Sequence, residues 1–258
     1  MFNDLKNKNI LITGSTNGIG LAAAKFLASS GAHVSLTSYR QHENIADTIE
    51  TINNLGGSAS FHQVDFCNDE ACETFVENFV RERGRIDVLV NNVGGLVERR
   101  QTEDIDAELF DDVAYLNMRS AHTMVRLCLP FLKESAKNKN WSASVISVGS
   151  IAAYSGGGPG ASLYAASKAW LHTINRSWAK KYAADNIRFN VIAPGTVDTA
   201  FHADKDDEAK ERMSKGIPMS RLGTPDEMAP TFAYLASHLM SGYVTGQILH
   251  VNGGQFMS

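Results

Sequence analysis

TGSTNGIG, residues 13–20, is the stretch that decides the fold. It follows a short apolar run, 9–13, and opens an alanine-rich segment with helical periodicity, 19–29, so its glycines fall at a first βα turn. Gly14 suits the tight turn, Gly18 lets backbone come close to a pyrophosphate, and Gly20 lets the helix pack closely on the sheet. A helix starting there presents free N–H groups and the positive end of its dipole to phosphates. An ordinary αβ turn also carries glycines, so the reading needs support from the rest of the chain.

Outward from that turn, short β-rich runs alternate with helical patterns. The candidate strands are 9–13, 33–38, 59–64, 88–91, 144–148, 188–193 and 247–251. The candidate helices are 19–29, 44–55, 69–83, 107–133, 162–184 and 225–236. This alternation is the sequence form of repeated βαβ units. Punctuation agrees: Asp69 reads as an N-cap, Gly31, Gly56 and Gly84 follow helix ends, and Pro225 takes the first helical position after Thr224. The expectation is an α/β fold, a Rossmann-type doubly wound parallel sheet of about seven strands with helices on both faces. With 258 residues and no repeat or long linker, the chain fits one domain, 1–258.

Composition excludes several classes. A net charge of −4 leaves no basic stripe for nucleic acid, and 43% hydrophobic with 20% charged residues describes a globular chain. No run of 18 apolar residues occurs and the start, MFNDLKNKN, is polar, so no membrane association and a cytoplasmic location are expected. Cys67, Cys72 and Cys128 are too irregularly spaced for a disulfide framework or a zinc site and read as reduced core or helix-face thiols. The histidines lack ligand spacing; His122 and His172 read as surface or satisfied core residues, and no metal is expected.

Two segments break the rhythm. YSGGGPG at 154–160 is a glycine-rich loop before a helix. The segment 197–218 contains KDDEAKER, a solvated helix face by composition, and its position after a strand end suits a substrate lid.

Tyr164 and Lys168 stand four residues apart in YAASK on a helical pattern, so their side chains share a face. An ammonium beside a phenol favours the phenolate, which would let Tyr164 exchange a proton with a carbonyl or alcohol oxygen. Taken alone, such a pair is usually an exposed helix pair. Ser150, at the end of the fifth candidate strand, adds a hydroxyl that can stabilise charge on the same oxygen, with Ser147 and Ser155 as nearby competitors.

The glycine spacing, G-x-x-x-G-x-G, differs from the usual dinucleotide fingerprint. Gly14, Gly18, Ile19 and Gly20 resemble the T-G-x-x-x-G-I/L-G motif of the classical short-chain dehydrogenase/reductase family. Asn91, Asn92 and Gly94 are similar to its N-N-A-G motif, with Val93 in place of alanine. The resemblance continues through Asn117, Ser150, Tyr164, Lys168, Pro194 and Gly195 to YVTGQILHVNGG at 243–254, whose ending leans toward 3-oxoacyl carrier-protein reductases. It covers essentially the whole chain.

The resemblance implies a nicotinamide-dependent oxidoreductase acting on a small carbonyl or alcohol substrate. It assigns Ser150, Tyr164 and Lys168 to catalysis, with Tyr164 and Lys168 also among the cofactor contacts and Asn117 completing a tetrad by holding a water in a proton relay. The cofactor loop is Gly14, Ser15, Thr16, Asn17, Gly18, Ile19 and Gly20. Asp65 resembles the adenine contact, Asn92, Val93 and Gly94 line the adenosine ribose, and Ile192, Pro194, Gly195, Thr196 and Val197 run beside the nicotinamide. After the second strand the chain reads LTSYRQHEN, with Ser38 at the acidic position of NAD enzymes, then Tyr39 and Arg40. An arginine accommodates the extra phosphate of NADP, so NADP(H) is preferred and NAD(H) remains the alternative. Asn17, where many NADP-using relatives carry a basic residue, argues the other way.

The substrate pocket is expected among 95–99, 150–158 and the segment from Val197. Lys133, Lys137 and Lys139 offer an acidic carrier protein a surface, although a solvated helix end explains them as well. The resemblance implies a homotetramer built on the two long helices. The leading expectation is an NADPH-dependent ketoreductase of the 3-oxoacyl or small-ketone type. The alternatives are an NAD-dependent alcohol, sugar or polyol dehydrogenase, and a non-catalytic NAD(P)-binding regulator.

Overall fold

The computed structural model describes residues 2–41, 43–202 and 206–257, with His202 in its backbone only. Seven parallel strands form one sheet: β1 (Asn9–Ile12), β2 (His33–Ser38), β3 (Ser58–Gln63), β4 (Val88–Asn91), β5 (Ala143–Val148), β6 (Ile187–Pro194) and β7 (Ile248–Val251). Their order is β3-β2-β1-β4-β5-β6-β7, so the chain moves outward from β1 to β3 and then returns to the other side of β1. Register is continuous through the centre, where Leu11 lies opposite Ser35 on one side and Leu89 on the other.

The helices are α1 (Gly18–Ser29), α2 (Ile45–Asn54), α3 (Asp69–Arg83), α4 (Ala107–Ala114), α5 (Ser120–Ser135), α6 (Ala152–Ser155), α7 (Ser162–Tyr182), α8 (Asp207–Lys215), α9 (Pro225–Ala236) and α10 (His238–Ser241). Alternate strand residues face opposite sides of a sheet, so two cores result. Ile10, Ile12, Val88, Val90 and Ile146 pack with Ala24 and Leu27 of α1 and Phe232 of α9. Leu11, Leu89, Val145 and Phe189 pack on the other face with Phe75 and Phe79 of α3, Met124 and Cys128 of α5 and Trp178 of α7. Both faces are covered, as an all-parallel sheet requires.

The expected elements are present, most within one or two residues of their bounds. Asn68, one residue before Asp69, caps α3: its side chain accepts from the Ala71 N–H at 3.0 Å. Asp69 instead accepts from Thr123 Oγ1 at 3.0 Å and pairs with Arg119. The single helix expected over 107–133 is two helices joined by a π-turn, Tyr115–Arg119. At its centre, Asn117 Nδ2 donates to Val113 O at 3.0 Å, taking the carbonyl that an α-helical ladder would assign to the Asn117 N–H. Cys67 lies exposed in the turn after β3, in neither core nor helix, and all three cysteines are free. Thr224 and Glu227 form a capping box at α9 with Pro225 at its start. No helix among the described residues is long and apolar enough to cross a membrane.

His33 gives the fold an acid sensitivity. It is buried on β2, its Nδ1 is 2.8 Å from Ser58 Oγ and its ring packs on Phe79. Burial pushes His33 down to about 4, and burial followed by the Lys168 charge does the same to His172. The folded state therefore favours neutral imidazoles. That contribution is complete above the unfolded value of about 6.5 and is lost as pH falls toward 4, because the unfolded chain takes up protons first. The melting temperature should fall between pH 7 and pH 5, above the range of ordinary carboxylates, and His33→Gln should flatten the slope. A melting temperature constant over that window would contradict this.

Candidate active site

The C-terminal ends of β1, β4, β5 and β6 open on a cavity of about 980 Å³. It lies where the strand order reverses, between β1 and β4, the place at which open parallel sheets bind ligands. Gly14, Asn17, Gly18, Ile19 and Gly20 line it at one end. Gly18 has φ +52°, and its missing side chain leaves the backbone bare toward the cavity. Gly20 has another reason: a β-carbon there would sit 2.5 Å from Gly14 O, so it lets α1 close on its own loop. No side chain caps the N-terminus of α1, which leaves its first N–H groups for an anion. These features fit a dinucleotide pyrophosphate.

Two residues of the expected loop keep their side chains out of the cavity. Ser15 is fully buried; its hydroxyl bonds Ile12 O and Ser35 O at 3.1 Å each and accepts from the Thr37 N–H at 3.0 Å, so it ties the loop to β2. The Thr16 side chain is buried too, and neither residue lines the cavity. Asn92 does line it, yet its Nδ2 donates to Thr13 O at 3.0 Å and Gly14 O at 2.6 Å and clamps the loop, leaving Oδ1 for a ligand. Val93 and Gly94 continue the wall.

At the end nearer β2 and β3, Ser38, Tyr39 and Asp65 line the cavity, the residues expected beside an adenosine. No carboxylate stands at the end of β2. The Ser38 hydroxyl donates to Arg40 O, and Arg40 itself is exposed outside the cavity wall. Asp65 Oδ1 accepts from the Cys67 N–H at 2.9 Å, which fixes the turn after β3.

The opposite end brings together Ser150 from the end of β5 with Tyr164 and Lys168 from α7. The Ser150 hydroxyl lies near enough to the Tyr164 phenol to favour its ionised form. It also accepts from the Ala152 N–H at 3.1 Å. Ser147 is buried and Ser155 lies farther along the wall. Lys168 is buried, its Nζ donates to Val148 O at 2.8 Å, and it lies 5.7 Å from the centre of the Tyr164 ring. Burial pushes Lys168 down to about 8. Burial also raises the Tyr164 phenol, partly offset by the neighbouring Ser150 hydroxyl. Burial is the larger influence on the phenol, and the lowering expected from Lys168 does not overcome it. The phenol is therefore held in its protonated form.

Asn117 stands behind the cavity wall, buried. Its Nδ2 donates to Gly95 O at 2.9 Å and its Oδ1 accepts from the Gly95 N–H at 3.0 Å. A β-carbon on Gly94 would lie 2.8 Å from both Asn117 Oδ1 and Lys168 Nζ, so the two flank one glycine. On the other side of Ser150, Pro194, Gly195, Thr196 and Val197 complete the wall. Ile192 is buried beneath it. Phe201 tilts over Tyr164 with ring centres 5.5 Å apart, and Met213 of α8 joins the lining. Positions 203–205 of the expected lid, 197–218, lie outside the described residues.

Two supporting residues escaped the sequence reading. His172 is buried behind Ser150; its Nε2 accepts from the Ser150 N–H at 3.4 Å, its Nδ1 has no partner among the described residues, and its ring packs on Tyr154. Gln255, from the chain after β7, accepts the Thr196 N–H at 2.7 Å and donates to Thr196 Oγ1 at 3.0 Å. Their spacing carries no motif; His172 had only its position, two turns beyond Tyr164 on the same helix.

A doubly wound sheet with a glycine loop, phenol, hydroxyl and ammonium at its switch point defines a nicotinamide-dependent oxidoreductase acting on carbonyl or alcohol groups. The chain belongs to the short-chain dehydrogenase/reductase family. A family model described as Enoyl-(Acyl carrier protein) reductase matches residues 14–255. The chain is 47% identical to a protein whose crystal structure is described as NADH-dependent reductase A1-R' responsible for alginate metabolism, with both chains fully covered and a TM-score of 0.94. The same reductase complexed with NAD is 46% identical over the whole of both chains, with a TM-score of 0.91. Among curated relatives, 3-oxoacyl-(acyl-carrier-protein) reductase FabG of Thermotoga maritima is 34% identical over 97% of this chain and 98% of that protein.

Proposed function

We propose that the protein reduces a small carbonyl compound to an alcohol, with NADPH preferred. The observation that carries this is the convergence of Ser150, Tyr164 and Lys168 at one end of a cavity whose other end is the glycine loop. When bound, the nicotinamide supplies the hydride to the carbonyl carbon. Tyr164 Oη donates the proton that the developing alkoxide needs, and the Ser150 hydroxyl donates a hydrogen bond to the same oxygen. Lys168 holds positive charge beside the phenol, and Asn117, with Gly94 and Gly95, keeps the wall opposite it in place. In this reading Gly14, Asn17, Gly18, Ile19 and Gly20 hold the pyrophosphate, Asp65 and Asn92 the adenosine, and Pro194 to Val197 the nicotinamide side. Segment 197–218 acts as a lid, with Phe201 and Met213 touching what it covers.

NADPH is favoured because β2 ends without a carboxylate and Arg40 follows two residues later. One observation favours the second reading, NADH: the reductase 47% identical to this chain is described as NADH-dependent. Purified protein should show a kcat/KM for NADPH at least about tenfold above that for NADH, equivalent to about 1.4 kcal/mol, and Arg40→Ala should narrow the gap. A ratio favouring NADH establishes the second reading.

A small free substrate is favoured over an acyl thioester on a carrier protein. Lys133 pairs with Asp185 at 2.9 Å and Lys137 with Glu134 at 2.5 Å, which lowers the charge offered to an acidic partner. The relationship to FabG keeps a 3-oxoacyl thioester on the assay panel. Exposed Phe110 and Tyr115 near the α4–α5 junction, with partly buried Trp170 on α7, support the homotetramer expected from the family.

A further inference from the structure

The chain after β4, residues 92–101, has neither helix nor strand, yet it is held firmly against the glycine-rich segment before α7. The Arg100 N–H donates to Gly160 O at 3.2 Å, and Arg99 Nη1 donates to Pro159 O at 3.1 Å. Adjacent arginines on this loop have opposite fates. Arg100 is neutralised twice, by Glu98 at 2.9 and 3.0 Å and by Asp106 at 2.7 Å. Arg99 has no carboxylate partner among the described residues, and it lines the same cavity as Ser150 and Tyr164. One of the five N–H donors of its guanidinium is used, by a backbone carbonyl, which orients the group without compensating its charge.

Charge in the cavity is segregated. Among the described lining residues, Asp65 is the one carboxylate, and it stands after β3 at the adenosine end. The end near Tyr164 has Lys168 and Arg99 with no negative partner. Small and apolar residues, Ile151, Ala152, Gly157 and Gly158, form the wall between Ser150 and the loop that carries Arg99.

We infer that Arg99 is a specificity residue that binds a substrate carboxylate, and that the preferred substrates are oxo acids carrying the acid a few carbons from the reacting carbonyl. This rests on the carbonyl reductase reading above. A guanidinium presents parallel N–H groups that match a carboxylate bidentately. A doubly charged phosphate would call for a second cation or a helix N-terminus beside Arg99; Lys168 is committed to Val148 O, and α6, with four residues, is too short.

The test compares oxo acids of four to six carbons with their methyl esters, using the full-length protein and its better cofactor. The acid should exceed its ester in kcat/KM by at least about tenfold. Arg99→Ala should erase that margin by raising KM for the acid, with kcat and the ester's constants changed less than about threefold, and Arg99→Lys should restore part of it. Equal use of acid and ester by the unmodified protein, or an equal loss on both in Arg99→Ala, overturns the inference. If no carbonyl of any kind turns over with either cofactor, the reductase reading itself fails. Calorimetric binding of the oxo acid to the cofactor-loaded protein, lost in Arg99→Ala, then still decides for Arg99, and its persistence decides against.

Discussion

Tyr164→Phe should lower kcat for carbonyl reduction by at least about a thousandfold, with cofactor affinity changed less than about threefold. The variant removes one oxygen and keeps the ring that packs against Phe201. A positioned general acid contributes roughly 10² to 10⁴ in rate. The upper part of that range is expected here because Ser150 can donate a hydrogen bond but has no proton acidic enough to replace the phenol. Single-turnover absorbance at the nicotinamide band, with cofactor binding followed by fluorescence, separates chemistry from binding. Near-normal turnover in Tyr164→Phe would remove Tyr164 from the chemistry. Equal losses of binding and turnover would make it a structural residue.

The largest effect on stability is expected away from the cavity. Arg188 of β6 is 4% exposed and has no carboxylate within hydrogen-bonding distance among the described residues. Its guanidinium donates to Leu235 O at 2.7 Å, Ala236 O at 3.2 Å, Ser142 Oγ at 2.8 Å and Ser241 Oγ at 2.9 Å. The two carbonyls belong to the last turn of α9, where unpaired acceptors and the negative dipole end favour a cation. Burial pushes Arg188 down to about 10, still well above neutral, so the group stays charged. Arg188→Met keeps much of the volume and strips every donor. Leu235 O keeps the Ser144 hydroxyl at 2.9 Å, and Ala236 O is left unpaired. An orphaned buried acceptor costs about 1 to 3 kcal/mol, so a loss of about 3 kcal/mol is expected once the other three bonds of the charged group go too. For a chain of this size that is roughly a 10 °C fall in melting temperature. A fall under 2 °C would mean that water or rearrangement replaces the guanidinium.

Much of the architecture was legible before any coordinates. The glycines at 14, 18 and 20, the alternation of β-rich and helical runs, and the Thr224–Pro225 helix start are local signals. They depend on backbone conformation and on which face of an element is apolar, and both are set by neighbours a few residues away. The pairing of Tyr164 with Lys168 was legible for the same reason, since one helix turn carries both.

What lay beyond the sequence concerns partners distant along the chain. That Ser15 ties down a loop instead of facing a ligand depends on Ser35 and Thr37. The π-turn at Asn117 depends in part on Gly95, which holds the side chain that displaces the ladder. His172 behind Ser150 and Gln255 on Thr196 are contacts across 22 and 59 residues. Arg99 and Arg100 are identical in type and adjacent, and only the positions of Glu98, Asp106 and Pro159 distinguish a neutralised cation from one that lines the cavity.

The sequence by itself therefore determined the sheet, the glycine turn at its first βα junction and the shared helix face of Tyr164 and Lys168, because periodicity and glycine placement act over a few residues. Tertiary structure alone decided which polar groups are used up holding the fold and which remain for a ligand. A side chain's donors, charge and pKa depend on every group within a few ångströms, and folding brings those groups from the whole length of the chain.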